Sequence, residues 1–574
     1  MGTPEQILSD RLAHAFEAVV GEPVDPLVQR SQFADYQSNA ALGSAKRLGR
    51  KPRDVAAAVL AAADLDDLAE RTEISGPGFI NVTMRPQLLG ELLGAVGADE
   101  RLGVPPVPDP ETVVVDYSAP NTAKEMHVGH LRSTIIGDAA VRLTEWLGHR
   151  VIKRNHLGDW GTPFGMLIEH LLDIGETEAA AELSVGDLNG FYTAARRKFD
   201  GSEEFKERSR RRVVLLQSGD EATLRLWRLL VAESKQYFMK VYDSLDVRLA
   251  EADFVGESAY NDELASVIAD LDRLGLLRSS EGADCVFPAG FTGRDGEPLP
   301  LIVRKSDGGY GYATTDLAAI RDRLTALGAT RLLYVVGTPQ QQHFAMVFTT
   351  AREAGWLAAP ARATHVGFGS VLGADGKVLR SRAGGTIKLV DLLDEAVDRA
   401  TRAIAEKNPD LEPGSRTAVA RAVGIGAIKY ADLSTDRLRD YIFDFDRMLS
   451  FEGNTAPYLQ YAHARIRSIF RRGGVTPGHE GTPVQIEEPA EHALALELLA
   501  FPDIVAAVSE TMEFHRLANY LFTLATTFTT FYERCPVLKA DEPSRSSRLA
   551  LCDLTARTLA TGLDLLGITA PDKM

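Results

Sequence analysis

The pattern of apolar positions in the middle of the chain changes from a strand type to a helix type and back. Residues 112–117 (Thr-Val-Val-Val-Asp-Tyr) form a β-branched run that is too short for a helix and is typical of a buried strand. Behind it, apolar residues recur at every fourth position from Leu131 to Leu147, which predicts a helix beginning near His130. Residues 150–155 predict the next strand. This order predicts a parallel α/β sheet with the intervening loop at its carboxyl edge, where such sheets bind ligands.

Proline-rich and glycine-rich breaks divide the chain. Residues 104–110 contain four prolines, too many for a helix or a central strand, and therefore mark a linker. After residue 390 helix-period patterns dominate to the end of the sequence. The expected divisions are an N-terminal domain over 1–103, an α/β domain over 111–390 with a charged helical insertion at about 175–300, a helical connecting region over 391–450 and an all-α domain over 451–574.

Composition narrows the class of protein. A length of 574 residues with 45% hydrophobic content predicts several domains with real cores. Cys285, Cys535 and Cys552 are scattered without a CxxC pair, which argues against a zinc ribbon or a disulfide framework and fits a reducing compartment. No apolar signal core begins the chain, and no uninterrupted apolar run reaches the ~18 residues needed to span a bilayer. We expect a cytoplasmic protein that does not enter a membrane.

The loop between the first strand and its helix carries the clearest candidate chemistry. His127 and His130 lie three residues apart across Gly129, so both imidazoles can face one phosphate chain at a helix start, while the glycine lets a flat base approach the backbone. Imidazole can donate hydrogen bonds to phosphoryl oxygens as charge spreads in a displacement. Two alternatives remain: a metal half-site, which lacks an adjacent carboxylate or thiolate at suitable spacing, and two structural histidines.

Several motifs together resemble one enzyme family over nearly the whole chain. The segment from His127 to His130 (His-Val-Gly-His) is similar to the "HIGH" signature of the class I aminoacyl-tRNA synthetases. Its surroundings resemble the arginyl-tRNA synthetases specifically, and the matching segments are 118–121 (Ser-Ala-Pro-Asn), Lys124, 131–134 (Leu-Arg-Ser-Thr), 156–162 (His-Leu-Gly-Asp-Trp-Gly-Thr), 430–434 (Tyr-Ala-Asp-Leu-Ser) and 451–458 (Phe-Glu-Gly-Asn-Thr-Ala-Pro-Tyr).

This resemblance implies an architecture and a reaction. The α/β domain would be a Rossmann-like catalytic domain, residues 1–103 an added domain that contacts tRNA, and residues 451–574 a helical anticodon-binding domain. The reaction would be the ATP-dependent attachment of L-arginine to tRNA(Arg) through an arginyl-adenylate. ATP would bring Mg²⁺ with it, without a metal site on the protein, and the enzyme would act as a monomer.

The resemblance also implies roles for residues around the nucleotide. His127, His130 and Lys124 would stabilise charge on the phosphates. The implied ATP-binding residues are Val128, Gly129, Gly367, Phe368, Arg380, Ser381 and Arg382. The second class I signature, "KMSKS", departs from its usual form here, because Ser381 stands where a lysine normally grips the triphosphate. Lys124, or Arg380 and Arg382, would replace it, unless this segment is only a glycine-rich surface loop.

An arginine pocket is implied at the second half of the sheet. Residues 332–337 predict a strand, and polar residues 338–343 follow its carboxyl end. Tyr312 and Asp316 are one helical turn apart, so both can line one wall. The pocket residues implied by the resemblance are Asn121, Tyr312, Asp316 and Gln340, with Asp116 and Glu257 as additions. Asp316 has an alternative place in the first turn of a helix, where a carboxylate is favourable.

Contacts to tRNA are implied at both ends of the chain. In the N-terminal domain the candidates are Phe79 and Asn81, for which a buried Phe and a strand-edge Asn are the plain alternative. In the C-terminal domain they are Tyr458, Tyr461, Arg465 and Met574, because exposed tyrosines and arginine stack on unpaired bases. Periodicity assigns Leu459, Leu517 and Leu521 to the helical core.

The net charge of −17 opposes RNA binding unless basic residues cluster. They do cluster at residues 46–53, 208–212 and 465–472, although each run is also typical of a solvated helix face. Three clusters in three regions suit a long tRNA. Two rival functions stay open: a small nucleotidylyltransferase, which would not need the long helical C-terminal part, and a synthetase paralogue that has lost catalysis, which Ser381 favours and the intact histidine pair opposes.

Overall fold

The computed structural model describes residues 2–161, 163–176, 188–294, 296–379, 387–409, 411–478 and 484–574. The chain forms two compact units. One comprises Met1–Pro105, Ser450–Asp564 and Thr569–Met574, and the other comprises Pro106–Leu449 and Leu565–Ile568. The N-terminal and C-terminal segments therefore share one unit, a grouping that no pattern in the sequence predicts.

The N-terminal segment is an α/β structure built on a four-stranded antiparallel sheet. Its elements are α1 (Pro4–Val20), β1 (Val28–Arg30), β2 (Tyr36–Ser38), α2 (Ala40–Leu48), α3 (Pro52–Ala63), β3 (Ala69–Ser75), β4 (Phe79–Met84) and α4 (Pro86–Ala98). The strand order is β1-β2-β4-β3, so β4 is a central strand. The expectation of a strand-edge Asn81 is therefore wrong.

The second unit carries the predicted parallel sheet and its covering helices. Its elements are β5 (Thr112–Asp116), α5 (Val128–Trp146), β6 (Arg150–Leu157), α6 (Pro163–Ile174), α7 (Leu188–Gly201), α8 (Glu203–Gln217), α9 (Glu221–Leu245), β7 (Phe254–Gly256), α10 (Asn261–Arg273), β8 (Leu277–Ser280), β9 (Ala283–Val286), β10 (Leu301–Arg304), α11 (Tyr312–Thr325), β11 (Arg331–Tyr334), α12 (Gln341–Glu353), β12 (Arg362–His365), β13 (Val371–Leu372), α13 (Leu389–Lys407), α14 (Pro413–Leu433), β14 (Tyr441–Ile442) and α15 (Phe445–Met448).

The sheet order β12-β11-β5-β6-β7, with every pair parallel, confirms the α/β prediction. The chain proceeds from β5 to β6 and β7 on one side, then returns to place β11 against the other side of β5. The order of connection therefore reverses between β5 and β11, and the loops after these two strands flank a crevice at the carboxyl edge. The histidine-bearing loop is one of them, and α5 begins at Val128, two residues before the predicted start.

The segment expected to be a helical insertion is only partly helical. Helices α7, α8 and α9 occupy its first half, but β7 belongs to the main sheet, and β8, β9 and β10 form a small antiparallel sheet of their own. Strands of three or four residues are too short to show a period of two, which is why the sequence pattern does not indicate them.

Burial explains why the central strands lack alternation. Val114 of β5 and Leu332 of β11 are fully buried, as are Leu317 of α11 and Val347 of α12, which belong to the same apolar cluster. A parallel sheet covered by helices on both faces is expected to have continuous apolar strands. The register pairs Tyr334 with Asp116, so the last residues of β5 and β11 lie side by side at the carboxyl edge.

The C-terminal segment is helical, as predicted. Its helices are α16 (Ala456–Gly473), α17 (Pro489–Leu499), α18 (Phe501–Thr511), α19 (Phe514–Arg534) and α20 (Ser544–Leu565). Leu459, Leu517 and Leu521 are buried in it, which confirms their core assignment. Among the described residues, the stretch Pro489–Thr511 alone is long and apolar enough to cross a membrane by composition, and half of it is buried within the protein.

Candidate active site

The loop between β5 and α5 is held in an unusual backbone conformation. Ser118, Ala119 and Ala123 all have positive φ, at 71°, 47° and 57°, a region that residues other than glycine rarely occupy. Hydrogen bonds from the scaffold fix it: the Ala119 amide donates to Oδ1 of Asn155 at 2.9 Å, and the Ala123 amide donates to Oγ of Ser234 at 2.8 Å. The loop is therefore shaped by β6 and α9 before any ligand arrives.

The two histidines cap the N-terminus of α5. The Gly129 amide donates to Nδ1 of His127 at 3.0 Å, and the His127 amide donates to Nδ1 of His130 at 3.1 Å. Because both Nδ1 atoms accept, each neutral ring carries its proton on Nε2 and keeps that N–H as a donor. A side chain at position 129 would place its Cβ 2.7 Å from the His127 ring, so glycine is required there. The structural role and the ligand role of these histidines are thus compatible.

The electrostatic surroundings keep both rings neutral. Burial, followed by the nearby Lys124 ammonium, lowers the pKa of His127. Burial, followed by His127, lowers the pKa of His130 to about 3. At neutral pH the pair therefore presents two N–H donors without adding positive charge.

A cleft of about 250 Å³ opens beside the histidine loop, at the crevice between β5 and β11. His127, Val128, Gly129 and Phe368 line it together, and Gly367 directly precedes Phe368 in the chain. The other lining residues are Arg132, Gly337, Pro339, Gly369, Ser370, Val371, Val378 and Leu379. The Thr338 amide donates to the Phe368 carbonyl at 2.9 Å, which joins the two walls that follow β11 and β12. The glycines of this lining and the ring of Phe368 suit a flat, partly apolar ligand.

The described residues on either side of the second signature contact the cleft wall and the histidine loop. Arg380, Ser381 and Arg382 lie outside the described residues. On one side, the Leu379 amide donates to the Val371 carbonyl at 3.0 Å, and on the other, the Leu389 amide donates to the Met126 carbonyl at 3.0 Å. The described flanks of the segment are therefore anchored to the cleft wall and to the histidine loop.

Asp316 has a side-chain partner and does not cap its helix. Gly311 is the N-cap of α11, and Asp316 is the fifth residue of the helix, so the first-turn alternative is wrong. Its Oδ2 lies 2.6 Å from Nε2 of His343 on α12. Tyr312, one turn earlier, is 75% exposed, and Gln340, three residues before His343, is also exposed. The contact between Asp316 and His343 thus joins α11, which begins at Tyr312, to α12, which begins directly after Gln340.

Two further acids lie near Asp316. Burial raises the pKa of Glu257 to about 8, with added contributions from the carboxylates of Asp159 and Asp316. Asp159 is buried and accepts hydrogen bonds from the amide and hydroxyl of Ser258 at 2.9 and 2.7 Å. Asn121, on the histidine loop, forms a parallel bridge with Gly158 beside Asp159. Among the described residues, the charges that shift the pKa of Glu257 are the carboxylates of Asp159 and Asp316, so the region around it is acidic.

Asp116 is engaged inside the protein. Its Oδ2 lies 2.7 Å from Nη2 of Arg323, and both side chains are buried. The Arg323 guanidinium also lies 5.0 Å from the centre of the Tyr334 ring. This ion pair engages the carboxylate that the sequence suggested for substrate arginine. Asp116 therefore stabilises the end of β5 through its contact with Arg323.

The predicted tRNA contacts differ in exposure. Asn81 is buried, accepts from Gln37 at 3.0 Å and donates to Ser75 Oγ at 2.8 Å, while Phe79 is half-buried. Tyr461 on α16 is 48% exposed, Tyr458 packs on Phe522 at 5.6 Å, and Met574 is half-buried. The Arg465 guanidinium lies 5.0 Å from the Tyr532 ring centre. The structure thus leaves Tyr461 as the most accessible aromatic of the set.

Two arginines of the basic cluster at residues 208–212 form ion pairs with a buried carboxylate. Arg208 and Arg212 on α8 lie 2.8 and 2.7 Å from the buried Glu169 carboxylate on α6. The geometry therefore favours the interpretation of this cluster as part of a helix face.

Several residues of the site carry no role in the sequence analysis. Arg132 lines the cleft, His343 contacts Asp316, and Glu125 and Lys388 form an ion pair beside the histidine loop. Arg132 and Glu125 stand next to the histidine signature, so adjacency to it is the signal that points to them. Lys388 and His343 show no such signal, because their contacts are long-range.

Comparisons with known proteins agree along the whole chain. Residues 95–445 match the model of "tRNA synthetases class I (R), catalytic domain", residues 459–574 match "DALR anticodon binding domain", and residues 5–84 match "Arginyl tRNA synthetase N terminal domain". The chain is 56% identical to an arginine–tRNA ligase of Thermobifida fusca and 49% identical to one of a Synechococcus species, with all of both chains covered in each case. It also resembles the crystal structure of the Plasmodium falciparum arginyl-tRNA synthetase, with 30% identity, all of both chains covered and a TM-score of 0.87, and the Thermus thermophilus enzyme, with 27% identity, 99% and 100% coverage and a TM-score of 0.82. The chain therefore belongs to the arginyl-tRNA synthetase family.

Proposed function

We propose that this protein is an arginine–tRNA ligase, which joins L-arginine to tRNA(Arg) at the expense of ATP through an arginyl-adenylate. The observation that carries the proposal is the cleft at the reversal point of the sheet, which His127 lines together with Gly337 and Phe368. His130 belongs to the same helix N-terminus. A helix N-terminus with added N–H donors is suited to phosphate.

In the first step, a carboxylate oxygen of arginine attacks the α-phosphorus of ATP, the bond to the bridging oxygen breaks, and pyrophosphate leaves with that electron pair. Negative charge spreads over the phosphoryl oxygens in the transition state. His127 and His130 would donate through Nε2–H to these oxygens, and Lys124 would supply positive charge. Because the donors are already oriented by their Nδ1 hydrogen bonds, little reorganisation is needed during the reaction.

Selection of arginine would rest on Asp316, Glu257 and the nearby Asp159. A guanidinium has five N–H donors in a fixed plane and prefers carboxylates that accept in that plane. Arrival of the positive substrate would favour the ionised form of Glu257, whose pKa is raised in its absence. Tyr312 and Gln340 would line the exposed side of the pocket, Asn121 would hold the backbone groups of the amino acid, and Asp116 would support β5.

ATP would occupy the cleft at Val128, Gly129 and Phe368, next to Gly367, with Arg380, Ser381 and Arg382 as candidates from the second signature. Among the described residues, no group of three His, Cys, Asp or Glu side chains is arranged to hold a metal ion. The phosphates of ATP would carry Mg²⁺.

In the second step, the 2′-hydroxyl of the terminal adenosine of tRNA would attack the carbonyl carbon of the anhydride, releasing AMP. Tyr461, Tyr458, Arg465 and Met574 in the C-terminal segment, and Phe79 and Asn81 in the N-terminal segment, are the proposed tRNA contacts. We propose that the enzyme is a cytoplasmic monomer that does not enter a membrane.

Pyrophosphate exchange into ATP tests the first step. The purified protein is assayed with each of the twenty amino acids, with and without tRNA, and we expect exchange only with arginine. A nucleotidylyltransferase needs its own acceptor, and an inactive paralogue activates nothing, so neither would give exchange that depends on arginine. The absence of arginine-dependent exchange, or exchange with another amino acid, overturns the proposal.

A further inference from the structure

Helix α7 presents two side chains to the histidine loop. Nδ2 of Asn189 donates to Oε2 of Glu125 at 3.0 Å, and Nζ of Lys124 lies 4.3 Å from the centre of the Tyr192 ring. Asn189 and Tyr192 are three residues apart and so share one face of the helix. One face of α7 therefore contacts two consecutive residues, Lys124 and Glu125, which precede the histidine signature by one residue.

Glu125 is the buried centre of this arrangement. Its side chain is 1% exposed, and its other oxygen, Oε1, lies 2.9 Å from Nζ of Lys388, just before α13. A buried carboxylate is costly unless its oxygens have partners. Here the partners come from two segments, α7 and residue 388, so the carboxylate fixes the backbone beside Lys124 relative to both.

The contact of Lys124 with an aromatic ring has a specific consequence. Within the described part of the chain, Lys124 forms no ion pair with a carboxylate, and Tyr192 is its ring contact. An aromatic face attracts and orients an ammonium but leaves its charge in place. A carboxylate at the same position would compete with phosphate for the ammonium. The ring therefore restricts a flexible side chain while keeping it available to an anion.

We infer that Tyr192 and Asn189 are positioning residues for arginine activation, through which helix α7 holds the Lys124 ammonium where the phosphates of ATP bind. This inference rests on the proposed function of Lys124. It gives one helix of the insertion, α7, a role in the chemical step.

The test compares variants of Tyr192 in arginine-dependent pyrophosphate exchange with tRNA present. Tyr192→Leu should lower kcat about 5- to 30-fold while the KM for arginine is unchanged. Tyr192→Phe keeps the ring and should stay near the wild-type rate. Phe199→Leu is the matched control, because it removes another ring of α7, whose cation is Arg196 at 5.6 Å and not Lys124. Equal losses in Tyr192→Leu and Phe199→Leu would overturn the inference.

A double-mutant cycle separates this inference from the proposed function. In a Lys124→Ala background, Tyr192→Leu should have no further effect on kcat, because the side chain that it positions is gone. If Lys124→Ala itself leaves kcat unchanged, the proposed role of Lys124 fails. If Lys124→Ala lowers kcat but Tyr192→Leu does not, or if the two losses multiply, only the inference fails. Asn189→Ala provides a second variant with the ring intact, and it should also lower kcat in the wild-type background only.

Discussion

The guanidinium of Arg132 and the carboxylate of Asp432 form a buried ion pair, with 3.2 Å between Nε and Oδ2, although 300 residues separate them in the chain. The Arg132 guanidinium also lies 5.3 Å from the Tyr441 ring centre and 5.8 Å from the Phe368 ring centre. Because Arg132 and Phe368 line the cleft beside the histidine loop, this pair connects the helix of the histidine signature, α5, to α14 directly behind the cleft.

Loss of this pair should destabilise the catalytic unit. Asp432→Asn leaves the buried guanidinium without its counterion, and we expect the free energy of unfolding to fall by about 3–5 kcal/mol. The measurement is urea unfolding followed by tryptophan fluorescence, since Trp146, Trp160, Trp227 and Trp356 all lie in the catalytic unit. Arg399→Ala, which breaks a partly exposed ion pair with Glu395, is the control and should change stability by no more than about 1 kcal/mol. A similar small change in both variants would show that the Arg132 pair is not a structural tie.

The histidine pair should act mainly in the transition state. We expect His127→Ala or His130→Ala to lower kcat for arginine activation about 100-fold, with a much smaller change in ATP affinity, because the donors meet the phosphoryl charge only as it develops. Single-turnover formation of the adenylate and ATP titration of each variant provide the two values. The exposed His14 supplies a control substitution. A parallel loss of affinity and rate would assign the histidines to ground-state binding.

His130 should also make the free energy of unfolding decrease as the pH falls. Its pKa is lowered in the folded state to about 3, while in the unfolded chain it is near 6.5. Between these pH values the unfolded chain binds a proton that the folded chain does not. The contribution of His130 to the free energy of unfolding is therefore fully present above pH 6.5 and is lost as the pH falls. From pH 7 to pH 5 this amounts to about 2 kcal/mol. His130→Asn should remove that part of the pH dependence, and an unchanged difference between pH 7 and pH 5 would contradict the assignment.

Asp316 should decide arginine affinity. Asp316→Asn removes a charged acceptor, and we expect arginine binding to weaken by about 2–4 kcal/mol while ATP binding is retained. Titration calorimetry with arginine measures this directly. Asp322→Asn, on the same helix, controls for loss of negative charge in α11. If arginine affinity is the same in both variants, Asp316 serves only to hold His343.

The sequence predicts the elements around the site best where the pattern of apolar residues is local. The run before Asp116, the helix after His127 and the strand around Leu332 were all recognisable, because each burial pattern is complete within a few residues. Strand β7 was not, since three residues from Phe254 to Gly256 carry no period, and its place depends on pairing with β6. Interpretation by periodicity also fails for Arg323 of α11, a charged residue that is fully buried and forms an ion pair with Asp116 of β5.

Residue roles were harder to predict than elements. Asp116 was expected to contact substrate arginine, but a long-range partner occupies its carboxylate, and no local pattern reveals such a partner. Asn81 was expected at a strand edge, yet β4 acquires neighbours on both sides once β2 folds against it. Glu125 and Lys388 illustrate the same limit: their ion pair spans 263 residues, and only the folded chain brings it beside the histidine loop.

The attachment of arginine to tRNA(Arg) is tested most directly by measuring transfer of labelled arginine to this tRNA by the full chain with ATP. We expect acid-precipitable arginine on the tRNA, one AMP formed for each arginine attached, and loss of the reaction in His130→Ala. Labelled arginine that remains on AMP, or a different amino acid attached to tRNA at a higher rate, would contradict this expectation.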